Sequence, residues 1–282
     1  MKINISQKEK TERFRKLHHN GKMLILPNIW DTLGALLLEN LDYPAIATAS
    51  ASIAFVSGYD DGENIPFADL LKLLKKIAGS VNIPVTADVE SGFANSSNNL
   101  QKNIELLIET GIVGINIEDT DKKNNNLFPI KTQCQRISLI KKVAAETGIP
   151  LFINGRTDVY LKGKDFGSEK EKFNETLKRG KAYMNAGADC FFPVLMTQKT
   201  SIQNIITELN CPVNIIAIAG VPDLKTLNEL GVARVSLGPG FLKTAIKAMK
   251  EIAEKLKNYE GIEEITANEI TTDYLKRLVD NK

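Results

Sequence analysis

Histidine is nearly missing from this chain: its 282 residues include two, His18 and His19, adjacent in a charged N-terminal segment. A histidine-containing catalytic triad or a multi-histidine metal centre in the core is therefore all but excluded. Cysteine is scarce too. Cys134, Cys190 and Cys211 are widely spaced with no CxxC pair, and an odd number of that kind predicts reduced thiols in a cytoplasmic protein. No charge of one sign dominates, since 36 Lys and Arg face 34 Asp and Glu for a net +2. The two signs are interleaved, which argues against nucleic acid or an anionic membrane as partner. Long apolar runs are absent as well; stretches such as 53–56 and 215–219 fall far short of the roughly 20 residues that span a bilayer. The opening MKINISQKEKTERFRKLHH is polar and predicts no secretory leader. Hydrophobic residues at 43% and charged residues at 25% are those of an ordinary globular protein with a large core. An enzyme built from this inventory has to work with carboxylates, Arg, Lys, backbone amides and a hard metal ion.

Short apolar runs alternate regularly with longer amphipathic stretches. The runs at 23–27, 45–49, 84–88, 114–118, 151–154, 189–193, 213–217 and 234–237 read as eight strands. Helical patterns follow most of them, at 66–80, 100–110, 132–147, 168–186 and 222–230. Ile104, Leu107 and Ile108 carry the i, i+3, i+4 spacing of a buried helix face. Gly111, Gly148, Gly187 and Gly231 each stand where a helix would end before the next strand. Strands separated by helices imply parallel pairing with right-handed crossovers, and eight such units suit a (β/α)8 TIM barrel of the usual length. An open doubly wound sheet is the rival architecture; it explains eight successive units less well, and no GxGxxG follows the first strand. The expected organisation is one domain over 1–282, with an N-terminal helix in 1–20, barrel units over 21–240 and additional helices over 241–282.

In such barrels the working residues lie at the C-terminal ends of strands. The second strand runs into Ser50, Ala51 and Ser52, small residues that let backbone amides approach a ligand, and its loop carries Asp60, Asp61 and Glu63. The third ends in Asp88, Val89 and Glu90, the fourth in Glu118 and Asp119, and the fifth in Asn154, Gly155, Arg156, Thr157 and Asp158. Carboxylates from successive loops, with one arginine opposite, would meet at the barrel mouth, and oxygen donors of that kind suit a cation such as Mg²⁺. Each acid alone can equally be a helix N-cap, and Arg156 alone can be a structural ion-pair partner with Asp158 as its orienter.

Several segments together resemble the isocitrate lyase and phosphoenolpyruvate mutase superfamily, in its phosphonomutase-like branch, which is related to 2-methylisocitrate lyase. VTADVESGF at 85–93 resembles that family's metal-binding strand, GINIEDT at 114–120 its next acidic strand end, and INGRTDVYL at 153–161 its arginine strand. AIATASASIAFVSGYDDGE resembles the substrate-cradling strand and loop, and AGVPDLKTLNELGVARVSLGPG at 219–240 the late barrel. The resemblance implies an Mg²⁺-dependent barrel, with Mn²⁺ as a substitute ion. Such barrels exchange a terminal helix within a homodimer or homotetramer and act on a small 2-oxo acid. Carried over by position, Asp88, Glu90 and Glu118 would form the metal shell, with Glu90 where many members have aspartate. Asp60 would be the loop acid, and Arg156 would hold substrate oxygens opposite the amides of Ser50 and Ala51. Asp88 would also contact substrate. Leu256, Ile262, Ile265 and Leu275 could pack against another subunit.

The lyases of the family carry a cysteine on the loop after the fourth strand. Here that loop, DTDKKNNNLFP, has neither Cys nor His, and Cys134 lies too far along, on the expected following helix. That disfavours isocitrate or 2-methylisocitrate cleavage. Phosphonate-processing members place a lysine and an asparagine on this loop; Lys122 or Lys123 with Asn124 or Asn125 would match, Lys123 and Asn125 being the pair chosen, while a merely solvated loop is the plain alternative. The leading expectation is an enzyme cleaving or rearranging a C–C or C–P bond of an oxaloacetate-like or phosphonopyruvate-like acid through an enolpyruvate intermediate. A second is a catalytically altered barrel that binds metal and a dicarboxylate as a regulatory protein. A Schiff-base aldolase ranks last, because no strand ends in lysine.

Overall fold

The computed structural model describes residues 5–280, so the first four residues of the N-terminal segment and the last two of the C-terminal one lie outside the described residues. Among the described residues there are nine short strands, all but the first two separated by helices. They are β1 (Leu24–Leu26), β2 (Asn28–Ile29), β3 (Ile46–Thr48), β4 (Val85–Asp88), β5 (Gly114–Glu118), β6 (Phe152–Thr157), β7 (Cys190–Pro193), β8 (Asn214–Ile216) and β9 (Arg234–Ser236). Every pairing is parallel, the outcome that helical crossovers dictate. The order is β2-β3-β4-β5-β6-β7 in one sheet and β1-β9-β8 in the other.

The first expected strand, 23–27, holds β1, and β2 follows beyond its end, separated by Pro27, which has no amide to donate. The chain nonetheless passes from one sheet to the other there: β1 pairs with β9, and the Ala47 amide reaches the Pro27 carbonyl at 2.9 Å. Asn28 reinforces that seam, accepting from the Leu237 and Gly238 amides at 2.8 and 3.1 Å and donating to Thr48 at 2.8 Å. A parallel bridge between Phe191 and Val213 links the sheets on the other side. The fold is α/β and TIM-barrel-like.

The helices between strands are α2 (Thr32–Asn40), α3 (Ser50–Val56), α4 (Phe67–Ser80), α5 (Ser97–Glu109), α6 (Ile130–Glu146), α7 (Glu169–Asn185), α8 (Lys199–Leu209) and α9 (Leu224–Glu229). Local chemistry sets their starts: Asp31, Ser96 and Asp223 accept from the third amide of α2, α5 and α9, and Ser168 forms a capping box with Glu171 for α7. Their apolar stripes, such as Leu100, Ile104, Leu107 and Ile108 of α5, are buried against the sheet. The fifth expected strand runs further than its apolar run: β6 continues through Gly155 and Arg156 to Thr157. Gly155 is what allows it, since a Cβ there would stand 3.3 Å from that of Ala188 and 3.6 Å from that of Tyr183 on α7.

The N-terminal helix α1 (Gln7–Leu17) lies across the strands' N-terminal ends. Gln7 donates to the carbonyls of Ile108 and Ile112, both at 2.8 Å, Phe14 packs edge-on to Phe152, and Arg15 pairs with Asp189. After β9 come α10 (Gly240–Leu256), α11 (Ile262–Thr266) and α12 (Thr272–Asp280), the last resting on α2. Among the described residues no helix is long and apolar enough to cross a membrane.

Candidate active site

The C-terminal ends of β4, β5 and β6 bring three carboxylates and an arginine to one cavity of about 270 Å³. Strand periodicity aims them: Glu118 is the last residue of β5 and is registered against Arg156 in β6. Arg156 Nη1 lies 3.0 Å from Glu118 Oε2, and its Nε donates to Asp158 Oδ1 at 2.7 Å. Glu90 reaches the same space through an unusual backbone, with a φ of 50°, a left-handed conformation that a non-glycine residue adopts at a cost. The turn is held from both sides: the Glu63 amide donates to Glu90 Oε1 at 2.8 Å, and the Glu118 amide to the Glu90 carbonyl at 2.9 Å. Asp88 Oδ2 accepts from the Ser50 hydroxyl at 3.0 Å. Ser50 and Ala51 form the first turn of α3, where amides lack helical partners.

The loop after β5 contributes Lys122. Its Nζ lies 2.8 Å from Glu90 Oε2 and 2.6 Å from Glu118 Oε1, bridging the two. Lys123 lines an adjoining pocket of about 620 Å³ with Arg136 instead. Asn125 lines the cavity and accepts from Lys162. In the loop after α3, Asp61 and Gly62 line the cavity, whereas Asp60 is not among the lining residues. Of the loop residues singled out in the sequence, Asp61, Lys122 and Asn125 line the cavity and Asp60 and Lys123 do not; Lys122 carried a signal in standing four residues after Glu118. Thr120 and Lys162 also line the cavity and had none.

Charge is unbalanced here. Asp61, Glu90, Glu118 and Asp158 line the cavity, with Asp88 beside it on Ser50, against three cations, Lys122, Arg156 and Lys162. Burial pushes the Glu118 carboxyl up to about 8 and Asp158 adds to the rise, against the pull of Arg156 and Lys122. Burial likewise lifts Glu90 to about 7, with Lys122 opposing. Asp61 is raised by the surrounding protein and then by Asp88. For Lys122 burial acts downward, but Glu118 and Glu90 outweigh it and hold the ammonium above its ordinary value. An excess of carboxylate oxygens suits a hard divalent cation. They are not gathered around one point, however: among the described residues no three His, Cys, Asp or Glu side chains are placed to hold a metal ion.

Glu118's neighbour has another task. Asp119 is fully buried and accepts from Tyr183 Oη at 2.6 Å, Thr157 Oγ1 at 2.7 Å, the Asp158 amide at 2.9 Å and Arg179 Nη1 at 3.0 Å. It ties β5, β6 and α7 together and leaves nothing for a ligand.

Comparison with known proteins agrees with this layout. The phosphoenolpyruvate phosphomutase family matches residues 14–257. The 2-methylisocitrate lyase of Bacillus subtilis (strain 168) is 26% identical over 265 residues, covering 90% of this chain and 84% of that protein. A Burkholderia cenocepacia J2315 structure described as a candidate phosphonomutase is 33% identical, with a TM-score of 0.83, covering 87% of this chain and 99% of its own. A phosphonopyruvate hydrolase solved with oxalate and Mg²⁺ shares the fold, with a TM-score of 0.84 over 96% of this chain and 95% of its own at 20% identity. With a family match across most of its length and carboxylates and arginine at consecutive strand ends, this chain belongs to the phosphoenolpyruvate phosphomutase family and is an enzyme.

Proposed function

We propose that the chain is an Mg²⁺-dependent enzyme that cleaves or rearranges a C–C or C–P bond of a small 2-oxo acid of the phosphonopyruvate or oxaloacetate type. The observation that carries this is the placing of Glu90, Glu118 and Arg156 on a single small cavity, with Asp88 beside it on Ser50. The scaffold in this reading is one domain over 1–282, a (β/α)8 barrel closed at Pro27 and at the Phe191–Val213 bridge. A cytoplasmic homodimer or homotetramer exchanging a terminal helix fits the exposed Ile246, Met249, Leu256, Ile262 and Ile265 on α10 and α11.

Breaking the bond at C3 leaves its electron pair as an enolate, with charge on the 2-oxo oxygen. Asp88, Glu90 and Glu118 would hold the cation, which when bound polarises that oxygen. Arg156 supplies a second, fixed positive charge. Asp158 holds its Nε at 2.7 Å, so the guanidinium is oriented before substrate arrives. Its planar fork suits carboxylate and carbonyl oxygens better than an ammonium would. Ser50 and Ala51 offer amides to the substrate carboxylate from the start of α3. In a mutase the phosphoryl group moves from C3 to the enolate oxygen and no proton is needed. In a lyase or hydrolase C3 takes a proton, and the loop after β5 holds the groups at hand, with Lys122 and Asn125 lining the cavity and Lys123 beside it. Asp60 would act from the loop rim.

Phosphorus and proton NMR time courses with Mg²⁺ and phosphonopyruvate, phosphoenolpyruvate, oxaloacetate or 2-methylisocitrate test this. Pyruvate formation or phosphonate–phosphate interconversion, lost with EDTA and cut about 10²-fold in Glu118→Gln, is expected. Turnover that survives both sinks the assignment. The regulatory alternative draws on one feature, the ammonium of Lys122 on the two carboxylates; it predicts saturable oxo-acid binding without turnover.

A further inference from the structure

The loop after β5 folds back over the cavity it serves. Thr120 and Leu127 bridge its base, and the Asp121 and Asn125 amides bond to Asn126 and Asp121 carbonyls, both at 2.8 Å. Asn125 is tethered to Lys162 across the cavity mouth. From this hairpin Lys122 reaches the acids: its Nζ stands 2.8 Å from Glu90 Oε2 and 2.6 Å from Glu118 Oε1. Its side chain is 26% exposed, while those of Glu90 and Glu118 are 4% and 3% exposed. These are two of the three carboxylates to which the proposed function gives the metal.

A divalent ion and an ammonium cannot both sit on the same pair of oxygens. A cation bound directly or through one water would lie within a few ångströms of Nζ, where like charges in a buried site repel strongly. Lys122 is also too intimately placed for a passing surface contact, because it neutralises two nearly inaccessible carboxylates whose isolation would be costly. We propose that Lys122 is a tethered counter-cation that competes with the divalent ion for Glu90 and Glu118, so that metal entry expels Lys122 and releases the loop over residues 119–127. The metal then binds more weakly than its carboxylates alone allow, and loop opening is coupled to metal occupancy. This rests on the metal reading above, and the test separates the two.

Calorimetric titration of the whole protein with Mn²⁺ alone, at one fixed alkaline pH, provides the measurement. Lys122→Ala and Lys122→Gln should bind Mn²⁺ about tenfold or more tightly than the unaltered chain, since the ion no longer displaces an internal competitor. Lys123→Ala, which removes an equal charge one residue away, should stay within about twofold. Hydrogen exchange on the unaltered protein gives a readout that needs no variant to fold: Mn²⁺ should speed exchange across 119–127, and in Lys122→Ala that loop should exchange fast with or without the ion. Equal or weaker Mn²⁺ affinity in the Lys122 variants, or slower loop exchange when the ion binds, overturns the competition while leaving the metal reading intact. Absence of Mn²⁺ binding in every protein overturns both.

Discussion

Glu118 and Asp119 are consecutive carboxylates on one strand end, and they belong to different regions. Asp119 faces the joint between β5, β6 and α7, where hydroxyls, an amide and Arg179 account for both its oxygens. Glu118 faces the cavity, where only Lys122 and Arg156 meet it, on a wall with more anions than cations. Both carboxyls are raised above their ordinary values by burial first of all. Burial by itself therefore does not mark a functional acid. What separates them is the completeness of the partners: a saturated carboxylate holds the frame, and an under-compensated one is free to change partners.

If that division is correct, the two regions fail in different ways. The largest effect should come from Arg156→Ala, which removes the cavity's fixed cation: turnover in the reaction found by NMR should fall about 10³-fold or more, and about 10²-fold in Glu118→Gln. Thermal unfolding of Glu118→Gln should move little, because the substitution also removes a buried charge that is costly to keep. Next in size is Asp119→Asn. Neutralising the acceptor shared by Tyr183, Thr157 and Arg179 leaves the guanidinium with Glu175 as its remaining carboxylate, a loss of about 3 kcal/mol, or roughly 10 °C in Tm for a chain of this size. Turnover per folded molecule should fall far less than in the cavity variants. A folded, fully stable Asp119→Asn with abolished turnover would break the comparison.

Period-two alternation was available to sort Glu118 from Asp119, yet it acts on strands whose limits the apolar run does not mark. β6 shows why: its hydrophobic stretch stops at Asn154, but Gly155 lets α7 approach and pairing continues through Arg156. The parallel order and acidic strand ends were legible because crossovers and burial impose them, while eight expected strands became nine at Pro27. Loop register was not. Asp61 rather than Asp60 lines the cavity, and Lys122 rather than Lys123 enters it, since single-residue choices in a loop depend on backbone turns such as the left-handed Glu63 and Asn125. α2 and α3 were hidden by composition, one nearly all apolar and the other short and rich in small residues. α8 did carry helical spacing in Ile202, Ile205 and Ile206.

The far end of the strands sharpens the contrast through pH. His18 is buried, stacked on Phe152 with ring centroids 4.2 Å apart, and burial pushes its pKa down to about 3, with Arg234 adding to the drop. Between pH 3 and about 6.5 the unfolded chain binds a proton there that the folded chain refuses, so this contribution to stability is lost as pH falls through that window. It should reach about 3 kcal/mol by pH 4. Glu90 and Glu118 act oppositely: with raised folded values, their contribution is present at low pH and lost as pH rises through about 7 to 8. Denaturant unfolding of the unaltered chain against His18→Gln isolates the histidine, and a difference independent of pH between 4 and 7 would reject it.

The smallest effect is expected where a different chemistry would demand a large one. Cys134 is on α6, with its Sγ 3.5 Å from the Ala182 carbonyl on α7, and burial raises its thiol above the ordinary value. A thiol in that position is neither ionised near neutrality nor within the cavity, and none of the residues lining the cavity is a cysteine. Cys134→Ala should therefore cost about 1 kcal/mol of packing at most and leave turnover unchanged, and thiol-alkylating reagents should not inactivate the enzyme in step with modification. Loss of activity in Cys134→Ala, with unfolding undisturbed, would place proton transfer on a cysteine after all and move the chemistry toward the lyases whose loop this chain does not share.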